Sequence, residues 1–116
     1  MMSDLDVHRL KDFGFEPTQM KAFLGQLIAV LLPDFESLER KIALKDWEQA
    51  KDLAHSFKGM ISIFATAQLA REFQILEDEL KTLSKNPGQS LQTDMDLLKV
   101  RLKELHCSAL NYQDQL

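Results

Sequence analysis

The stretch "WEQAKDLAHSFKGMISIF", Trp47 to Phe64, decides how the chain is read. Trp47, Ala50, Ala54, Phe57, Ile61 and Phe64 recur at spacings of three and four, the period of one helical face. With His55 set at zero and about 100° per residue, Glu48, Lys51, Asp52, Lys58, Gly59 and Ser62 fall within roughly 60° of it. His55 therefore stands at the centre of the polar face and is not a core residue. Gly59 shares that face. A glycine inside a helix costs roughly 1 kcal/mol relative to alanine, so its presence asks for a reason.

The same period runs through most of the chain, and no useful length alternates as a strand does. A short amphipathic segment spans Asp4 to Phe13 and ends at Gly14. Pro17 and Thr18 suit the start of a long helix with the stripe Leu24, Leu27, Ile28, Leu31, Phe35, Leu38 and Ile42. Pro33 lies inside that stripe and predicts a kink or break near Leu32. Asp46 and Thr66 are the expected N-caps of the next two helices. The second of these carries Leu69, Phe73, Leu76, Leu80 and Leu83. "NPG" at Asn86 to Gly88 marks a turn, and a last helix carries Leu91, Met95, Leu98, Leu102, Leu105 and Ala109. The expected fold is all-α: an antiparallel four-helix bundle with a short additional N-terminal helix, one domain over residues 1–116.

Composition narrows the function. At 45% hydrophobic and 28% charged residues the chain has the make-up of a globular protein rather than a disordered one. A net charge of −4 with no basic stripe argues against nucleic acid as a partner. The apolar run "FLGQLIAVLL", Phe23 to Leu32, is about half the length of a membrane span. The opening "MMSDLDVHRLKD" places acids where a signal peptide has lysines and an apolar run. With a single cysteine, Cys107, no internal disulfide is available, so a cytoplasmic location is expected. The two initial methionines favour a free-standing protein.

The neighbours of His55 give it chemistry. An imidazole attacks through a neutral ring nitrogen, and histidine supplies one near neutral pH. Lys58 follows one turn on and brings a cation within reach. Gly59 adds no side chain on the other flank of that turn. A bare patch of backbone beside a nucleophile and a cation suits an anionic electrophile carried by something bulky, and a phosphoryl group on another protein fits best.

At these residues the sequence resembles the histidine-containing phosphotransfer (HPt) domains of two-component phosphorelays. The resemblance is carried by "AHSFKGMISIFATAQLAREFQILE", Ala54 to Glu77. His55, Lys58, Gly59, Leu69, Leu76 and Glu77 match the family pattern, and Phe57 and Phe73 are apolar replacements. The resemblance implies His55 as phosphoacceptor, Lys58 as partner of the phosphoryl oxygens and Gly59 as the opening for a docking partner. Glu77 is read either as the acceptor that orients the imidazole or as a surface acid beside Leu76. The implied partners are response-regulator receiver domains and a hybrid sensor histidine kinase, with the chain a monomer. It needs no cofactor or metal of its own and is a phosphocarrier rather than an enzyme with ATP-dependent kinase activity; nothing in it resembles an ATP site.

Two departures touch loop geometry. Met60 and Ile61 replace small polar residues, and Ala65-Thr66 replaces a Gly-Ala pair. If that glycine ends the helix in a left-handed conformation, Ala65 must end it differently or accept strain. Ile63 is a candidate for an apolar docking patch. Leu5, Val7 and Leu10 either cover the end of the bundle or join that patch. The rival reading is a helical adaptor that binds a receiver or kinase domain without accepting phosphate. A metal-binding bundle is disfavoured, since Glu104 and His106 face different ways and His8 is isolated. Cys107 is expected to be a buried structural residue and Trp47 a core anchor.

Overall fold

The computed structural model describes residues 4–116; the two initial methionines lie outside the described residues. The chain folds into α1 (Val7–Lys11), α2 (Pro17–Ala43), α3 (Trp47–Ile61), α4 (Ala67–Lys85) and α5 (Met95–Asp114). The last four form the antiparallel bundle, and α1 is the short additional helix. Asp46, Thr66 and Asp94 cap α3, α4 and α5, each side chain accepting from the backbone N–H three residues on. At the start of α2, Glu16 and Gln19 cap each other reciprocally, and Pro17 occupies the first turn.

α3 packs chiefly on α4, and α2 lies against both α3 and α5. Ala50 and Ala54, both fully buried, let the helices approach closely. The centre of the core is a triangle of rings, one each from α2, α3 and α4. Phe57 lies 4.9 Å from Phe73 and 5.9 Å from Phe35, and Phe35 meets Phe73 edge-on at 6.2 Å. Trp47 is buried at the start of α3, as an anchor should be.

Pro33 does not break its helix: α2 runs unbroken for 27 residues. The apolar stripe continues on both sides of it, through Leu31 before and Phe35 and Leu38 after, so packing holds the helix across the missing N–H. Pro33 and Ala29, whose carbonyl loses its partner, are both exposed, which leaves that carbonyl to water. The sequence also placed two boundaries wrongly. α5 starts at Met95, and Leu91 is a half-buried loop residue. The loop is held by Glu79 of α4, whose carboxylate accepts from the backbone N–H groups of Gln92 and Thr93.

α3 stops at Ile61, short of Phe64. A tight turn follows in which the Ala65 N–H donates to the Ile61 carbonyl at 2.7 Å. Ala65 is not left-handed; Lys45, in the α2–α3 turn, is the non-glycine residue with positive φ among the described residues. Instead Ala65 is extended into an isolated antiparallel bridge with Leu5. The replacement of glycine is therefore met by a different helix end, without left-handed strain. Phe64 and Ala65 are fully buried in that turn.

The N-terminal segment is what covers this end of the bundle. Asp6 N–H donates to the Phe64 carbonyl at 2.8 Å, and Thr66 N–H to the Asp4 carbonyl at 2.7 Å. Arg101 of α5 donates to both carboxylate oxygens of Asp4, at 2.9 and 3.1 Å. Leu10 is fully buried beneath α1. Cys107 is exposed, contrary to expectation. It follows Leu105 by two positions, about 200° round the helix, and so faces away from the stripe of Leu98, Leu102, Leu105 and Ala109. Among the described residues no helix is long and apolar enough to cross a membrane.

Candidate functional site

His55 sits near the middle of α3, on the flank that faces α4 but outside the apolar seam. Its side chain is 68% exposed. Across from it on α4 stands Glu77, with a side chain only 4% exposed, one position after the buried Leu76. The Nδ1 of His55 lies 3.1 Å from Glu77 Oε1. The reading of Glu77 as a surface acid is thereby excluded: it is the one buried charged residue among those described.

A buried carboxylate survives in ionised form only when it is paired. Glu77 has three cationic or donor partners. Besides His55, the Lys58 Nζ stands 3.4 Å from Oε1, and the Lys81 Nζ stands 3.2 Å from Oε2. Burial pushes the carboxyl toward the neutral form, but the hydrogen bonds from His55 and Lys81 and the charge of Lys58 outweigh it, so its pKa lies below the usual carboxylate range. An ionised carboxylate only accepts. The proton of the shared hydrogen bond therefore belongs to His55 Nδ1, and in the neutral ring Nε2 keeps its lone pair on the side turned to solvent.

Lys58 is also held by Gln74 of α4, whose Oε1 accepts from its ammonium. Gln74 in turn donates to Asp78 Oδ1 at 2.9 Å. Gly59 is exposed, and a Cβ built on it would meet nothing within 4 Å. Nothing inside the protein requires the glycine. A shallow pocket of about 340 Å³ opens beside the imidazole, lined by Lys51, Asp52, His55, Ser56, Glu77 and Lys81.

All four residues singled out in the sequence, His55, Lys58, Gly59 and Glu77, thus meet at one place. Ile63 and Met60 do not stand free; both are half-buried against the core. Gln74 and Lys81 were missed. Their signal was their spacing, three before and four after Glu77, which puts all three on one flank of α4. Among the described residues no group of three or more His, Cys, Asp or Glu side chains is placed to hold a metal ion.

Comparison with protein families shows where the chain belongs. The family model of the Hpt domain matches residues 22–107, which is 86 of 116 residues. The chain belongs to the Hpt family. Searches of curated proteins and of solved structures gave no match. Membership gives the Hpt protein a phosphotransfer role in two-component signalling, as a phosphocarrier rather than a kinase. The matched span contains α3, α4 and every residue of the His55 cluster.

The depressed pKa of Glu77 has a consequence for stability. A carboxyl whose folded-state pKa lies below its unfolded value of about 4.3 stabilises the fold fully above that pH, and the contribution is lost as pH falls through the folded value. Glu77→Gln removes this linkage. Thermal melts from neutral pH down through the acid range are expected to show the wild-type lead over Glu77→Gln narrowing below about pH 4.3. A lead that stays constant with pH contradicts an ionised, paired Glu77.

Proposed function

We propose that this Hpt protein is a phosphorelay intermediate in which His55 takes a phosphoryl group from a receiver-domain aspartate and passes it to another response regulator. The observation that carries the reading is the His55–Glu77 pair: an exposed imidazole anchored through Nδ1 to a buried carboxylate. This geometry aims the Nε2 lone pair at an incoming partner. A hybrid sensor histidine kinase and a downstream regulator are the partners this role requires.

The step balances without any group the chain lacks. The Nε2 lone pair forms a bond to phosphorus as the phosphorus–oxygen bond of the receiver's acyl phosphate breaks. The leaving electron pair stays on the receiver's aspartate. Nδ1 keeps its proton throughout, so the phosphorylated ring becomes cationic, and the carboxylate of Glu77 stabilises it at 3.1 Å. Lys58 and Lys81 offset the negative charge that arrives with the phosphoryl group. The receiver brings the metal ion and acidic pocket of its own aspartate chemistry, and this chain contributes a positioned nucleophile.

Two experiments test this. Incubation with pre-phosphorylated receiver domains is expected to give acid-labile, base-stable label on the wild type and none on His55→Ala. A receiver that binds the wild type without transferring label in either direction favours the adaptor reading instead. Gly59→Ala separates partner access from folding. Alanine at this exposed helical position adds about 0.5–1 kcal/mol of stability, seen in a denaturant melt. The same variant is expected to transfer at least about tenfold more slowly, since a misplacement of about 1 Å at reacting atoms costs on the order of 100-fold. Unchanged transfer in a stabilised Gly59→Ala means that Gly59 does not serve docking.

A further inference from the structure

We propose that the groove between α4 and the start of α5, on the far side of α4 from His55, is a docking site for a basic amphipathic helix of a partner protein. The proposal stands on observations separate from the His55 cluster and does not depend on whether His55 accepts phosphate.

The argument starts from packing. α2 packs on α3 and α5, and α3 on α4, so the seam between α4 and α5 is the least closely closed in the bundle. An open groove of about 450 Å³ lies along it. Ile75 of α4 and Leu97 of α5 line this groove together with the buried Leu98. Val100 follows Leu97 by one turn on the same face of α5. Ile75, Leu97 and Val100 are each more than half exposed, at 55%, 54% and 52%. Three large apolar side chains thus stand together on the surface while the core stripes of both helices are buried without them. A contiguous apolar patch with a polar rim marks an interaction surface.

The rim decides the occupant. Glu72, Glu79 and Asp94 line the same groove. Glu72 shares Arg101 with Asp4. Among the described residues, Glu79 and Asp94 meet only uncharged N–H and hydroxyl donors of Gln92, Thr93 and Leu97, so their negative charge is not paired. On the other flank of α4, lysines gather instead: Lys58 and Lys81 stand about Glu77. Ile75 and Glu77 are two positions apart, about 200° round the helix, so α4 separates a lysine-bearing side from a carboxylate-bearing one. A second copy of this chain docked face to face would set three carboxylates against three, which repels. A helix with Lys or Arg on either side of an apolar stripe meets both the rim and the apolar lining, and a trough between two helices accepts such a stripe at spacings of three and four. Because the groove faces away from His55, a partner held there leaves the imidazole open to another protein.

The probe is a synthetic helical peptide with leucines at helical spacing and lysines on both flanks, titrated into the full ¹⁵N-labelled chain and followed by amide NMR shifts. A counterpart with glutamate for every lysine is the control. Saturable shifts are expected at Ile75, Glu79 and residues 93–100, with the glutamate peptide binding at least about tenfold more weakly. Leu97→Lys and Ile75→Lys, at exposed positions on two different helices, are each expected to weaken the lysine peptide at least about tenfold, the scale of one large apolar side chain lost from an interface. Thermal melts check that both variants remain folded. The proposal is overturned by the absence of saturable shifts, by shifts spread over the surface or centred on His55, by equal binding of the two peptides, or by binding indifferent to both substitutions. A concentration-dependent dimer in sedimentation that Leu97→Lys dissolves overturns it too, since the occupant is then a second copy.

Discussion

A buried carboxylate between two helices is the constraint on which the rest of the site depends. Glu77 sits one residue from Leu76, in the flank of α4 that packs on α3, and its ionised form requires partners there. Those partners come from both helices: His55 and Lys58 on α3, Lys81 on α4. The pairing fixes three things together. It sets the rotation of α3 against α4, it selects the tautomer of an exposed imidazole, and it draws two lysines to the same carboxylate. A neutral residue at this position would leave the fold its apolar seam but, in the proposed relay, would remove the charge that stabilises a phosphorylated, cationic ring.

The scaffold keeps this geometry by conventional means. The Phe35, Phe57 and Phe73 rings hold α2, α3 and α4 together within one turn of His55 in sequence, since Phe57 follows it by two positions on the opposite face. The end of the α3–α4 pair is closed by the strap from Asp4 to Leu10, which is tied to the α3–α4 turn and, through Arg101, to α5. Little of this depends on loops. His55 and Glu77 both stand on long helices, which hold their mutual geometry more closely than loops would.

Much of this was legible in the sequence because it follows from periodicity. The stripes of four helices, the caps Asp46 and Thr66 and the central place of His55 on a polar face all derive from spacing along one helix. What escaped depends on relations between helices. The burial of Glu77 is invisible from its own wheel, where it lies at the edge of the stripe; only the approach of α3 covers it. Gln74 and Lys81 were missed for the same reason. Of the kink or break expected near Leu32, the break does not occur, because packing on either side of Pro33 carries the helix through it. Ala65 illustrates the converse: the turn it occupies is supported by a bridge to Leu5, sixty positions away, which no local reading supplies. Cys107 needed only its wheel position, and its expected burial rested on residue type alone.

The central claim is that Glu77 holds His55 as the Nδ1–H tautomer with a free Nε2. The most direct test is ¹⁵N NMR of the ring nitrogens in histidine-labelled protein at a pH where the imidazole is neutral. A protonated Nδ1 and a lone-pair-bearing Nε2 for His55, reverting toward the ordinary tautomer mixture in Glu77→Ala, is the predicted result. A proton resident on Nε2 in the wild type would contradict the account, because the atom turned to solvent would then have no lone pair to offer.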